Sequence, residues 1–356
     1  MLPYLSVIIP VRNERQLLPA LIDRLLDQNY PPELFEILVV DGCSTDGTGD
    51  LIARRYSKRK VRVRVIDNPK KRASAGRNLG IRAAAGDALI FLSARCEIPS
   101  KELLAWTAEA LEMVPEAGCL CQPSPLLAQP GTRTGEAIAR TWTSWLGRRV
   151  DLPGLAGFVD TPTGAMTYRR GVFEKVGFFD ESFDACEDED FNIRVWKSVI
   201  QGYCDPRLAV YDRPRSTVWA FWRQMIRHGR GTSRLMRKHP RQAHVAQIAP
   251  LTLVLAILLG LLAWSQLPLA AALAITLPLV LFPAAVFVAT VQLGTRYGLR
   301  TACKAPWIFA AIYAGQGIGL FLEYAFPGAD APLPVAGSLR EAKPLVEAVR
   351  KPGHAA

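Results

Sequence analysis

Three short polar loops carry the side chains best suited to hold a charged ligand: residues 12–14, 41–47 and 93–97. Each loop follows an apolar run rich in β-branched residues, which predicts a strand. Parallel sheets bind ligands just beyond the carboxyl ends of their strands. The loops therefore predict a nucleotide site at one edge of a sheet.

An acidic run stands further along the chain, formed by Glu187, Asp188, Glu189 and Asp190. Carboxylates can act as general bases. Acidic residues in the first turn of a helix also interact favourably with the helix dipole, and Asp190 can pair with Arg194 four residues later. We therefore interpret Glu189 and Asp190 as structural.

The elements that position the loops follow a regular alternation. The predicted strands are residues 6–9, 36–40, 61–66 and 88–92, and the predicted helices are residues 15–28, 48–56, 75–85 and 101–113. This alternation indicates βαβ units and a mainly parallel sheet, an α/β fold. A dinucleotide-binding dehydrogenase is disfavoured because no G-x-G-x-x-G follows the first strand. The glycines at 315, 317 and 319 lie in an apolar segment, where close helix packing explains them better.

The motifs of roughly residues 4–240 resemble those of family 2 glycosyltransferases. The first half contributes Pro10-Val11-Arg12-Asn13-Glu14, the Asp41-Gly42 loop and Arg77-Asn78. The resemblance implies a GT-A fold, a nucleotide-binding α/β sheet fused to an acceptor-binding half. The C-terminal hydrophobic region is also similar to that of ExoA-like, succinoglycan-type membrane glycosyltransferases.

The resemblance implies a set of donor-binding residues. Asp41 would contact the base or ribose of a nucleotide sugar, since a carboxylate accepts hydrogen bonds from an imide N–H or a ribose hydroxyl. Pro10, Arg12 and Glu14 would line the same pocket, and Arg77 belongs to the same set.

The second half resembles the acceptor side of the family through Gly164-Ala165, residues 176–181 and the acidic run. The family's Glu-Asp element supplies the general base of an inverting transfer, which implies Asp188 as base with Glu187 beside it as a second catalytic residue. Gln224-x-x-Arg227-His228 resembles the family's Gln-x-x-Arg-Trp element, which closes over the diphosphate. Gln224 and Arg227 are therefore expected donor-binding residues, although membrane-surface binding is a competing interpretation of Arg227.

One motif departs from the family pattern. The family expects an Asp-x-Asp after the fourth strand to hold a divalent metal on the donor diphosphate, but residues 91–96 read Phe-Leu-Ser-Ala-Arg-Cys. A Mg²⁺ or Mn²⁺ cofactor consequently has no assigned ligands. We expect Arg95 to neutralise the diphosphate instead, because a guanidinium binds such groups bidentately. The alternative is that Arg95 is a solvated loop residue.

The C-terminal third predicts membrane association. From Arg213 to Arg241 there are nine Arg or Lys residues and no Asp or Glu. Five arginines there recur at helical spacing, and Gly229 with Gly231 is expected to interrupt the helix. Uncharged segments follow at residues 243–264, 267–293 and 305–322; the first two are long enough to span a bilayer and the third is marginal. The basic flanks place the catalytic domain in the cytoplasm and predict a multi-pass protein of the inner membrane.

These features divide the chain into a GT-A domain (1–212), a basic interfacial segment (213–242), two to three spans (243–322) and a flexible tail (323–356). Seven cysteines without paired C-x-x-C motifs indicate reduced thiols rather than a zinc site or a disulfide framework. The expected partners are a nucleotide-sugar donor, a lipid-linked or glycan acceptor and the membrane, but not nucleic acid. The alternative to an inverting glycosyltransferase is a catalytically silent, nucleotide-binding membrane subunit.

Overall fold

A mixed parallel and antiparallel β-sheet forms the centre of the molecule. The computed structural model describes residues 1–127, 133–147, 155–159, 164–242 and 269–327. Across these residues the main sheet has eight strands in the order β3-β2-β1-β4-β8-β6-β9-β7. The strands are β1 (Leu5–Val11), β2 (Phe35–Asp41), β3 (Arg62–Asp67), β4 (Ala88–Phe91), β5 (Cys96–Glu97), β6 (Cys119–Cys121), β7 (Gly157–Val159), β8 (Ala165–Arg169), β9 (Gly202–Cys204) and β10 (Tyr211–Asp212). Strands β5 and β10 form a separate antiparallel pair.

The first four strands run parallel to one another, which confirms the predicted mainly parallel sheet. Strand β8 then joins the sheet antiparallel to both β4 and β6. Alternate side chains of each strand point to opposite faces. Leu5, Val7 and Ile9 accordingly enter one core, while Ile8 enters the core on the other face. Both faces are covered, which explains why β2 is buried along its whole length.

Helices cover the sheet and extend beyond it. They are α1 (Leu18–Leu26), α2 (Thr48–Tyr56), α3 (Ala73–Ala83), α4 (Leu103–Met113), α5 (Arg133–Trp142), α6 (Arg170–Val176), α7 (Glu187–Lys197), α8 (Val218–Lys238), α9 (Leu269–Tyr297), α10 (Leu299–Ala302), α11 (Ala305–Ala310) and α12 (Gln316–Ala325). The four predicted strands and four predicted helices of the first 113 residues all exist, with ends shifted by a few residues. All seven cysteines are free, and Cys119 and Cys121 are buried in β6.

Helix α8 is continuous, so the predicted interruption at Gly229 and Gly231 was wrong. These glycines instead let other chain segments approach closely. A Cβ at Gly231 would lie 2.4 Å from the carbonyl oxygen of Ala185, just before α7. A Cβ at Gly229 would lie 2.2 Å from the carbonyl oxygen of Gln316 in α12.

The contact between α8 and α12 is also built on glycine from the other side. A Cβ at Gly319 would lie 2.1 Å from the carbonyl oxygen of Ile226. This explains the 315–319 glycines as a close-packing surface. At the end of α12, the buried Glu323 pairs with Arg234 at 2.8 Å and with Arg237 at 2.7 Å, which fixes α12 to α8.

Two C-terminal helical segments of the described chain are long and apolar enough to span a membrane: Val280–Tyr297 and Leu299–Ala325. Their surroundings differ, since 11% of the first segment is buried inside the protein and 56% of the second. The second segment contains a π-helical turn at Ala311–Gly315 and corresponds to the predicted third span. The first predicted span, residues 243–264, lies outside the described residues.

Candidate active site

A cavity of about 900 Å³ opens at the carboxyl ends of β1 and β2, where the polar loops predict a ligand, and helix α8 forms its opposite wall. Six of the residues expected to bind a donor line it: Pro10, Arg12, Glu14, Arg95, Gln224 and Arg227. Glu187 of α7 also reaches it. The fold therefore brings residues from both halves of the chain to one site.

The two loops that form the floor of this cavity hold each other in place. The backbone of Asn13 adopts a left-handed conformation (φ 57°), and its side-chain oxygen accepts a hydrogen bond from the Thr45 amide at 2.8 Å. Asp41 is buried beneath the second loop, where its Oδ1 accepts hydrogen bonds from the amide and the hydroxyl of Ser44. Asp41 thus shapes the loop from below, and its neighbour Gly42 lines the cavity.

A smaller cavity of about 280 Å³ adjoins the first and contains the candidate base Asp188. Pro10, Ala73 and Ser93 line both cavities. A hydroxyl group bound near Asp188 would therefore face a ligand in the larger cavity.

Arg77 lies in the smaller cavity and organises the acidic run. Its Nη1 is 2.9 Å from Oε1 of Glu187. Burial raises the pKa of the Glu187 carboxyl, and Arg77 opposes this rise without cancelling it. The structure thus places Arg77 beside the candidate catalytic acids rather than in the wall of the larger cavity.

The other acids of the run differ in their surroundings. Asp190 is fully buried and pairs with Arg194 at 3.0 Å and with His239 at 2.9 Å, a set of contacts suited to a structural role. Glu189 is exposed at the surface, but many protein atoms surround its carboxyl group. This surrounding burial, together with the negative charges of Asp188 and Glu187, raises the pKa of Glu189 to about 7.

The position of the family's metal motif is occupied by Ser93, Ala94 and Arg95. The guanidinium of Arg95 donates to the backbone oxygens of Arg213 at 3.3 Å and Pro214 at 2.7 Å, and its Nη1 is 3.6 Å from Oε1 of Glu14. Its side chain is only 21% exposed, so Arg95 is not a solvated loop residue. Divalent cations such as Mg²⁺ and Mn²⁺ prefer oxygen ligands, and a guanidinium at this position repels them. These residues do not fit a divalent metal.

A different group of side chains has donor atoms that could hold a metal. Within the described ranges it comprises Cys186, Glu189 and His228, whose ligand atoms all lie within 4.8 Å of one another. The thiol sulfur of Cys186 is 3.5 Å from Nδ1 of His228. Thiolate and imidazole donors suit zinc rather than magnesium or manganese.

Sequence reasoning missed Arg215, which also lines the larger cavity. Its Nε donates to Oε1 of Gln224 at 2.9 Å. Burial, followed by the nearby charges of Arg95 and Arg227, lowers its pKa to about 10. In the sequence Arg215 belongs to the basic block interpreted as membrane-facing. The only signal in the sequence is its position shortly before α8, between Pro214 and the polar pair Ser216-Thr217.

Comparisons with known proteins agree with this geometry. The sequence matches the family described as "Glycosyl transferase family 2" over residues 6–177 and "Glycosyl transferase family group 2" over residues 99–299. A dolichyl N-acetyl-α-D-glucosaminyl phosphate 3-β-D-2,3-diacetamido-2,3-dideoxy-β-D-glucuronosyltransferase from Methanococcus voltae is 26% identical over 247 residues, 66% of this chain and 74% of the relative. The succinoglycan biosynthesis protein ExoA from Rhizobium meliloti (strain 1021) is 27% identical over 256 residues, 69% of this chain and 74% of the relative.

A solved structure supports the fold. The mannosyltransferase PcManGT from Pyrobaculum calidifontis, in complex with GDP-Man and Mn²⁺, superimposes with a TM-score of 0.56 at 19% identity, over 92% of this chain and 88% of that one.

Proposed function

Because the chain belongs to glycosyltransferase family 2, we propose that it transfers one sugar, with inversion, from a nucleotide-sugar donor to a lipid-linked or polymeric glycan acceptor. It is a GT-A enzyme of glycan biosynthesis that acts on nucleotide-sugar donors. The lipid-linked or polymeric acceptor, the inversion at the anomeric carbon and the roles of the individual residues are proposed.

The observation that carries the proposal is the position of Asp188 in the smaller cavity, which shares lining residues with the larger cavity. The donor's diphosphate and nucleoside occupy the larger cavity, with the anomeric carbon turned towards the smaller cavity. An acceptor hydroxyl oxygen attacks that carbon, the carbon–oxygen bond to the diphosphate breaks, and the hydroxyl proton passes to Asp188. The nucleoside diphosphate leaves with the bonding electron pair. Arg77 holds Glu187 beside the base and so keeps the acidic pair in place.

The membrane-associated acceptor is supported by the C-terminal helices. Large apolar side chains of α9 face outward, among them Phe287 at 69% exposure, and Trp307 of α11 is 70% exposed. Apolar surface of this kind is covered by lipid or by protein partners. The dolichyl-phosphate substrate in the name of the Methanococcus voltae relative and the polysaccharide product in the name of ExoA favour an acceptor held at a membrane.

The competing proposal is a catalytically silent nucleotide-binding subunit, which the lost Asp-x-Asp favours. A purified-protein assay separates the two. Nucleotide sugars are first screened for binding by thermal shift, and the best binder is then tested for slow donor hydrolysis and for transfer to a polyprenyl-diphosphate-linked glycan. Binding without any release of nucleoside diphosphate, with or without acceptor, would favour the silent subunit.

A further inference from the structure

The side chains that line the larger cavity carry an excess of positive charge. Its three carboxylates are Glu14, Asp184 and Glu187, and they face seven cationic side chains, Arg12, Lys71, Arg72, Arg95, Arg215, Arg223 and Arg227. Such an excess is costly until an anion enters, because like charges in a partly desolvated site repel one another. The cavity is thus built for a ligand with several negative charges.

Arg95 controls the shape of this cationic wall. It replaces an acidic residue of the family motif, and its guanidinium binds the backbone of Arg213 and Pro214. These contacts hold the segment before α8 against the cavity. The next residue in that segment is Arg215, which lines the cavity beside Arg95.

Arg215 stands close to three other arginines of this cavity. Its Nε donates a hydrogen bond to the neutral Gln224, and the charges that act on it are Arg95, Arg223 and Arg227 together with the single acid Glu14. A half-buried guanidinium among other guanidinia is stabilised by an anion that reaches several of them at once.

We propose that Arg95, Arg215, Arg223 and Arg227 bind the donor's diphosphate in place of a divalent metal ion. The inference rests on the proposed function, because it concerns the diphosphate of the nucleotide-sugar donor. Two negatively charged phosphates need compensation when the bond to the sugar breaks, and a set of fixed guanidinia supplies it without a metal. At the position of the family's Asp-x-Asp, both carboxylates that would hold a cation are absent and the cation Arg95 is present.

The test is nucleotide binding by the purified full-length chain, measured by calorimetry with UDP and GDP as probes. Each titration is done after exhaustive chelation and again with Mn²⁺ or Mg²⁺ restored. We expect the affinity for the better probe to change less than about threefold on chelation. Arg215→Ala should weaken binding roughly 10- to 100-fold, the effect of losing one charge-assisted hydrogen bond to a phosphate. Arg215→Lys, which keeps the charge, should recover part of that loss.

Two controls assign the effect to the diphosphate. Arg54→Ala removes an exposed arginine of α2 outside the cavity and should bind like the wild type. Uridine and guanosine lack phosphates, so Arg215→Ala should leave their weak binding unchanged. Equal melting temperatures of the variants in the absence of nucleotide show that the fold is retained.

Three results overturn the inference. The first is loss of wild-type affinity on chelation with recovery by Mn²⁺, combined with normal binding by Arg215→Ala. The second is a metal-dependent affinity that disappears in Cys186→Ser, which would assign the charge to the Cys186–Glu189–His228 group instead. The third is a wild-type chain that binds neither diphosphate with or without metal, which contradicts the proposed function itself.

Discussion

Asp188 and Arg77 illustrate how single side chains divide the chemistry of the site. Asp188 lies in the smaller cavity beside the larger one, while Arg77 pairs with Glu187, with its Nη1 2.9 Å from Oε1. An uncompensated pair of adjacent carboxylates would hold a proton in common and make a poor base for the acceptor. The ion pair therefore leaves Asp188 as the acid of the run best placed to accept the acceptor's proton.

We predict that Asp188→Asn lowers kcat for transfer by a factor of about 10² to 10⁴. The amide keeps the shape of the side chain but cannot take a proton. Donor affinity should stay close to that of the wild type, because Asp188 acts on the acceptor. Steady-state kinetics and nucleotide titration on the same preparation check both parts. A variant that retains a tenth or more of the wild-type kcat removes Asp188 from the role.

Asp41→Ala should have the opposite pattern: it should weaken nucleotide binding more than it lowers kcat. The carboxylate accepts two hydrogen bonds from Ser44, so its loss also loosens the loop that lines the cavity. Ser44→Ala separates these contributions, since it breaks the hydroxyl contact and leaves the carboxylate present. Unchanged nucleotide affinity in Asp41→Ala would show that Asp41 is neither a ligand nor a support for one.

Sequence reasoning identifies loop residues at strand ends well and side chains that arrive from elsewhere poorly. Arg12, Glu14 and Gln224 are local features of recognisable motifs. Arg215 lines the cavity next to a backbone segment that Arg95 binds, a contact between residues more than a hundred positions apart. No spacing rule in a single sequence reports that contact.

Among the elements, helix α8 combines several tasks. Its side chains Gln224 and Arg227 line the larger cavity, and its Gly229 packs against α12. The sequence predicted the basic stripe of this helix. It did not predict that two of the basic residues, Arg234 and Arg237, are bound to Glu323, because their partner lies at the far end of the hydrophobic region.

We predict that Gly319→Ala destabilises the protein although alanine favours helices. The added Cβ would sit 2.1 Å from the carbonyl oxygen of Ile226, so α12 must move away from α8. Overpacking of this kind costs about 1–3 kcal/mol, which exceeds the gain of up to about 1 kcal/mol in helix propensity. Thermal unfolding in detergent should show a lower midpoint.

Gly171→Ala is the matched control, because the same substitution in helix α6 meets nothing within 4 Å. It should leave the midpoint unchanged or raise it slightly. A similar response from both variants would mean that the close contact between α8 and α12 is absent in solution.

At the scale of the whole molecule, the sequence predicts the α/β sheet, its helices and the apolar C-terminal region. It does not predict how the C-terminal helices meet the catalytic domain. Helix α5 contributes Ile138 to a core shared with Phe221 of α8 and Ile308 of α11. This core joins residues from three distant parts of the chain, and its burial packs the apolar C-terminal helices against α5 and α8.

Topology can be tested with the protein's own cysteines. Cys43 and Cys303 are exposed, whereas the buried Cys96 would escape labelling on either side of a membrane. If the basic flanks face the cytoplasm, an impermeant thiol reagent should label neither exposed cysteine in intact cells and should label both after permeabilisation. Ser265 lies between the first two predicted spans, residues 243–264 and 267–293, and is therefore expected on the opposite side of the membrane from their basic flanks. Ser265→Cys should accordingly be labelled in intact cells. Labelling of Cys43 before permeabilisation would invert the arrangement.

The glycine and Glu323 contacts of α8 have a consequence for protein engineering. Helix α8 makes contacts on several sides: it lines the larger cavity, and it packs against the loop before α7 at Gly231 and against α12 at Gly229. The floor loops at residues 12–15 and 41–48 are held to each other by hydrogen bonds. A chimera that exchanges both floor loops with those of a relative should therefore fold, whereas one that exchanges α8 must import the matching C-terminal helices as well. Under the proposed function, the nucleoside preference can be exchanged with the floor loops alone, whereas the proposed diphosphate-binding arginines of α8 must be exchanged together with the C-terminal helices.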